Sequence, residues 1–69
     1  MKFSAYLVLI KYDSGETKIG IYSDRSPGGF GVMGTSILLV AEGDSYSEAV
    51  KEIQKEVGRW VSMSIEMME

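Results

Sequence analysis

A glycine-rich run in the middle of the chain is the first candidate for chemistry. Residues 29–34 read Gly-Phe-Gly-Val-Met-Gly and match the pattern G-x-G-x-x-G. In dinucleotide-binding proteins this pattern follows a strand and opens a helix, whose N-terminus holds the pyrophosphate. Here residues 35–40 are apolar and predict a strand. We therefore expect a structural loop. The alternative is a nest of backbone N–H groups that binds a phosphate-bearing small molecule.

The available side chains exclude most forms of catalysis. The sequence has no histidine and no cysteine, so it lacks the usual proton shuttle, a thiolate nucleophile, any disulfide and the common zinc ligands. Serines are plentiful, but none stands at a spacing from lysine or a carboxylate that predicts an activating base. No two carboxylates are expected to share an apolar pocket. We predict a protein that is not an enzyme and that uses no metal and no cofactor.

The charge and the apolar runs limit the partners and the location. Ten acidic and seven scattered basic residues give a net charge of −3. Binding to phosphate groups needs a basic stripe, so neither nucleic acid nor an anionic membrane is an expected partner. The apolar run at residues 3–10 is interrupted by Lys11, and no stretch approaches the roughly 18 apolar residues of a spanning helix. We expect a cytoplasmic protein.

The N-terminal half predicts a hairpin followed by a loop. A two-residue periodicity on either side of Asp13-Ser14-Gly15 predicts a β-hairpin over residues 2–23, with apolar residues on both faces. Residues 24–34 contain the only proline and four of the eight glycines, which predicts a loop. Loops of this length often bind something. The candidate ligand or partner residues in it are Gly28, Gly29, Phe30, Gly31, Met33 and Gly34.

The C-terminal half predicts a strand, a helix and another strand. Residues 35–42 form a continuous apolar strand pattern. Ser45 and Glu48 have the S-x-x-E spacing of a capping box, in which each side chain accepts a hydrogen bond from the other residue's backbone amide. The apolar stripe that follows, with Gly58 as the C-terminal cap, predicts a helix over residues 45–58. Residues 61–67 alternate like a half-buried strand. The predicted fold is α+β in the order βββαβ, a four-stranded antiparallel sheet with one helix on one face.

A single helix is too small for such a sheet. A helix of about 15 residues is roughly 10 Å wide, whereas four strands span about 19 Å. A small chain without disulfides is often stabilised by self-association. We therefore expect a homodimer or a higher oligomer through the helix-free face or an edge strand. The alternative is that the loop folds back and covers this face with Phe30, Val32 and Met33. The expected interface residues are Tyr6, Val8, Ile10, Tyr12, Ile37 and Leu39.

Two motifs carry a resemblance to a known family. Residues 26–30 form a proline-glycine turn after the second strand, and residues 43–50 read Gly-Asp-Ser-Tyr-Ser-Glu-Ala-Val at the start of the helix. In this respect residues 1–58 resemble the sheet domain of HicB-type antitoxins. The chain differs from that family in the additional segment 31–42, and we expect no C-terminal DNA-binding extension. The resemblance implies a non-catalytic oligomer that binds and blocks a partner protein, such as a ribonuclease toxin, without contacting DNA.

These observations lead to two functional hypotheses. The first is a small non-catalytic oligomeric binding module that occludes or inhibits a partner macromolecule, as an antitoxin or a phage-encoded inhibitor does. The second is a protein that sequesters a nucleotide or another anion, held by the glycine-rich loop at a subunit junction.

Overall fold

The chain folds into one sheet with one helix across it. The computed structural model describes the backbone of residues 1–68 and the side chains of residues 1–61. The strands are β1 (Phe3–Tyr12), β2 (Thr17–Tyr22) and β3 (Val32–Gly43), and the helix α1 is Tyr46–Met68. β1 lies in the centre, in the strand order β2-β1-β3, and both pairings are antiparallel. The fold is α+β with a three-stranded antiparallel sheet and the order βββα.

The turn between β1 and β2 follows from its glycine. The amide of Gly15 donates to the carbonyl of Tyr12, and the amide of Tyr12 donates to the carbonyl of Glu16, each at 2.9 Å. Gly15 has φ of 94°, a conformation that glycine adopts without steric cost. A short loop that ends in such a residue keeps the right-handed twist of the two strands. The turn therefore fixes the register, in which Leu7 lies opposite Ile21 and Leu9 opposite Ile19.

The pairing of β1 with β3 is interrupted by two irregularities. Leu7 lies opposite Leu39, but Val8 lies opposite Ile37, so Leu38 has no partner on β1. A second register shift, between Lys11 and Tyr12, leaves Met33 without a partner on β1. An extra residue in one strand reverses the alternation of its side chains between the two faces. Thus Leu39 lies on the face that carries the helix, and Ile37 lies on the opposite face.

The hydrophobic core lies between α1 and two of the strands. The helix packs against β1 and β3. Four buried residues form the centre of this core, Ala5, Leu7, Ala49 and Ile53. The half-buried residues around them are Ile21, Leu39, Ala41, Val50 and Val57. Two of the four central residues are alanines, so the helix axis can approach the sheet closely.

The start of α1 is fixed by hydrogen bonds at its cap. The amide of Glu48 donates to the hydroxyl of Ser45 at 3.2 Å, as a capping residue requires. The carboxylate of Glu48 accepts from the amide of Asp44 at 3.0 Å, one residue before the amide of Ser45 that the capping box predicts. Lys2 pairs with Asp44 at 3.2 Å on the surface. These bonds set the point at which the chain turns from β3 into the helix.

We expect Gly43→Ala to destabilise the fold by about 1–3 kcal/mol, because a methyl group there overpacks the start of the helix. A Cβ at Gly43 would lie 2.9 Å from the amide nitrogen of Ala49 and 2.9 Å from Cβ of Glu48. Gly34→Ala is the matched control, since Gly34 lies in the same strand and a Cβ there meets nothing within 4 Å. Urea unfolding followed by circular dichroism measures both. Equal stability of the two variants contradicts the close contact.

The prediction of a fourth strand at residues 61–67 is wrong, because α1 continues through them to Met68. Gly58 does not end the helix, and it is not among the glycines with positive φ. A glycine inside a helix costs about 1 kcal/mol relative to alanine, which a helix that has already formed can tolerate. The methionines, the isoleucine and the glutamate that follow alternate in polarity, but methionine and glutamate also favour a helix. The apolar residues 57, 60, 61 and 68 fit a helical stripe, whereas residues 61, 63, 65 and 67 fit a strand pattern.

Candidate protein-binding surface

The loop between β2 and β3 is held by local hydrogen bonds and by glycine geometry. The amide of Ser26 donates to the carboxylate of Asp24 at 3.1 Å, an Asx turn. The amide of Asp13, in the hairpin turn, donates to the carbonyl of Gly31 at 2.8 Å. Gly28 and Gly31 have φ of 116° and 84°, which residues with a side chain rarely adopt. The far end of the loop is therefore anchored to the first hairpin.

This loop lies against the helix-free face of the sheet. Val8 and Ile10 are fully buried there within a single chain, although they point away from the helix. A Cβ at Gly28 would lie 3.8 Å from Cγ2 of Ile10 and only 2.6 Å from Cγ2 of Val32. The guanidinium of Arg25 lies 5.9 Å from the ring centre of Tyr6, within the range of a cation–π contact. The chain itself therefore covers the middle of this face.

The glycine at the point of closest approach gives a direct test of this arrangement. We expect Gly28→Ala to lower the free energy of unfolding by about 1–3 kcal/mol, because a positive φ is strained for alanine. The new methyl group would also displace Val32. Gly29→Ala is the control, since its Cβ meets nothing within 4 Å and its φ is not positive. Thermal unfolding compares the two, and equal midpoints contradict the loop geometry.

The structure divides the predicted loop residues into two groups. Gly28 and Gly31 hold the loop in place, whereas Phe30 and Met33 project into solvent. Phe30 is fully exposed, at 106% of its reference area, and Met33 is an unpaired residue of β3. Gly34 lies within β3 opposite Lys11. An aromatic ring and a thioether are therefore exposed within four residues of each other, where the loop joins β3.

The predicted interface residues do not form one continuous surface. Tyr6 and Tyr12 are half-buried, and Ile37 is 38% exposed. Val8 and Ile10 are inaccessible beneath the loop and neighbouring side chains. Leu39 lies on the opposite side of the sheet, against the core beneath the helix. Of the expected set, Ile37 is the residue most available to another molecule.

Sequence reasoning did not single out the outer edge of β3. In the part of the chain that the structure describes, no strand pairs with this side of β3. Leu38 and Val40 are exposed there at 45% and 49%, close to Ile37. The unbroken apolar run at residues 37–40 was the available signal. Such a run is equally typical of a strand buried on both faces, and periodicity does not give the strand order that distinguishes the two cases.

A charged cleft with residues of both signs lies at the other end of the molecule. It is an open cleft of about 400 Å³. The charged residues that line it include Lys2, Glu42, Asp44, Glu48, Lys51 and Lys55. Asp44 pairs with Lys2, and Glu48 accepts a backbone amide of the helix cap. Among the described residues, no three carboxylates are grouped in a way that could hold a metal ion.

Comparison with known proteins gives no relative from which a function could be transferred. The chain matches no family model, no curated protein and no solved structure. Within the described residues, α1 is too polar to cross a membrane. The surface of the molecule itself is therefore the guide to its function.

Proposed function

We propose that this chain is a small non-catalytic, oligomeric binding module that occludes a surface of a partner protein. The observation that carries the proposal is Phe30, an aromatic side chain that is fully exposed on an anchored loop. Large aromatic side chains dominate the binding energy of protein interfaces when they enter a pocket on the partner. A soluble chain gains nothing in its own folding from a ring that contacts no part of its core.

The surroundings of Phe30 suit such an anchor. The bond between Asp13 and Gly31 restrains the loop next to it, so less conformational entropy is lost when a partner binds. Met33 is exposed nearby in the sequence, and its flexible thioether adapts to irregular partner surfaces. The scattered basic residues and the net charge of −3 favour a protein over a nucleic acid as the partner.

Occlusion is the mode of action that fits a chain of this size. The described side chains offer no grouped carboxylates for a metal site, and the sequence has neither histidine nor cysteine. A module of this kind acts by covering the partner's own functional surface, as the resemblance to HicB-type antitoxins implies. We propose that this binding occurs in the cytoplasm.

The test compares three forms of the chain as bait in a cell lysate, namely wild type, Phe30→Ala and Ile19→Ala. Ile19 is an exposed apolar residue of β2, so its variant controls for the loss of any exposed hydrophobic group. We expect one protein in stoichiometric amount with wild type and with Ile19→Ala. With Phe30→Ala the affinity for this protein should fall tenfold or more, since a buried aromatic anchor contributes about 2 kcal/mol or more.

The purified partner then gives the decisive measurement. Isothermal titration should reproduce the affinity difference, and the partner's own activity should fall as the wild-type chain is added. Recovery of no stoichiometric protein contradicts the proposal. So does a partner that binds Phe30→Ala as tightly as wild type.

A further inference from the structure

We infer that the outer edge of β3 is a self-association surface, on which β3 of a second copy pairs antiparallel to form a continuous six-stranded sheet. This inference deepens the oligomeric part of the proposed function, because it names the partner and the strand. It does not involve Phe30. The two proposals can therefore fail independently.

The two edges of the sheet differ in their protection. Edge strands are normally protected by shortness, by lysine or by proline, because their free backbone groups pair with other strands. β2 has six residues and includes Lys18. β3 has twelve residues and contains no lysine, arginine or proline, and its one charged residue is Glu42, next to its end. The β3 edge is thus the long and unprotected one.

Apolar side chains are exposed on β3 where such a pairing would be centred. Ile37, Leu38 and Val40 are all exposed, although they lie in the middle of the strand. Ile37 and Val40 lie opposite Val8 and Tyr6 of β1, so both belong to the helix-free face of the sheet. A strand added at this edge would extend that face and cover apolar groups that the chain's own loop leaves exposed.

The accessible surface of the chain favours a second copy as the occupant. A compact monomer of 7.6 kDa is expected to expose about 4,300 Å². The chain exposes 5167 Å², an excess of about 900 Å², which is close to the 800 Å² that each partner buries in a standard interface. The molecule is flat, with extents of 40 × 37 × 13 Å. Among the described side chains, only six hydrophobic ones are buried, and small chains of this kind are commonly stabilised by oligomerisation.

The strand is also compatible with its own copy in charge and symmetry. When all twelve residues overlap antiparallel, Ile37 lies opposite Leu38 of the second copy, and Glu42 lies opposite Met33. No two like charges meet, so the repulsion that opposes cross-strand pairing is absent. A two-fold axis perpendicular to the sheet relates the copies. Both helices then lie on the same face of the six-stranded sheet.

Light scattering after size exclusion tests the inference with two matched lysine variants. We expect wild type at micromolar concentration to have twice the 7.6 kDa mass of one chain. Leu38→Lys places a charge on the β3 edge at a position with no partner on β1, so the sheet of the single chain is retained and the mass falls by half. Ile19→Lys places the same charge on β2, where the mass should not change. Phe30→Ala should likewise remain dimeric.

Chemical cross-linking keeps the inference testable if Leu38→Lys does not fold. The chain has no cysteine, so Leu38→Cys and Ile19→Cys each carry a single thiol. In the proposed dimer the two copies of residue 38 are adjacent, whereas the two β2 strands are five strand spacings apart, about 24 Å. A short bismaleimide should link Leu38→Cys and not Ile19→Cys. A wild-type mass of 7.6 kDa, or equal cross-linking of the two variants, overturns the inference.

Discussion

Ile53→Ala is expected to unfold most of the protein at room temperature or to lower its melting point by tens of degrees. Ile53 is fully buried in the core between α1 and the sheet, in contact with a cluster that includes Ala5, Leu7 and Ala49. Truncating a buried isoleucine to alanine costs about 2–5 kcal/mol, because the transfer energy is lost and a cavity remains. A 69-residue domain has a total stability of only about 3–10 kcal/mol.

The small residues around Ile53 place the loss of stability toward the upper end of this range. Ala5 and Ala49 have no spare side-chain atoms with which to fill the cavity, and the close approach at Gly43 limits further movement of the helix toward the sheet. Circular dichroism during urea or thermal unfolding gives the difference in stability. Val61→Ala on the same helix is the control, since Val61 is 54% exposed and its truncation should change the stability by less than about 0.5 kcal/mol. Similar losses of stability for the two variants contradict the packing of Ile53 between α1 and the sheet.

The hairpin and the start of the helix could be predicted from the sequence because their signals are local. Gly15 after Asp13-Ser14 determines a turn, and the spacing of Ser45 and Glu48 determines a cap. Both depend on residues no more than four positions apart. Local chemistry of this kind acts in the same way in every fold.

The C-terminal segment could not be predicted because two periodicities fit it. Alternation from Val61 onward indicates a strand, and the stripe that continues from Val57 indicates a helix. The choice depends on what the segment packs against. A strand needs an edge with free backbone groups at the right place, whereas a helix that has already begun adds one hydrogen bond for each further residue. The segment continues the helix.

The candidate site was predictable in its loop but not in its edge strand. Phe30 and Met33 lie in or beside a glycine-rich segment that indicates a surface loop. The exposure of Leu38 and Val40 depends on the strand order and on a bulge that moves Leu39 to the helix side. A one-residue irregularity reverses the faces of a whole strand. It leaves no mark on the hydrophobic pattern.

The second large effect is expected from Ile10→Ala, which should cost about 2–5 kcal/mol, as much as a substitution beneath the helix. Ile10 is 1% exposed, on the face that the helix does not cover. The loop at Gly28 approaches it, and Val8 is buried beside it on the same strand. The loop therefore gives this three-stranded domain a second small core, and removing its largest aliphatic side chain leaves a cavity under a short segment.

The concentration dependence of this loss distinguishes a core made by one chain from an interface between chains. If the loop buries Ile10, the loss of stability in Ile10→Ala is the same at micromolar and at hundred-micromolar protein. It should also be unchanged in the Leu38→Lys background, because distant substitutions add independently. If a second subunit covered this face instead, the loss would follow the protein concentration by mass action and would disappear in a monomeric variant. Unfolding curves of the single and double variants at two concentrations separate these outcomes, and a loss confined to the dimer contradicts the burial of Ile10 by its own chain.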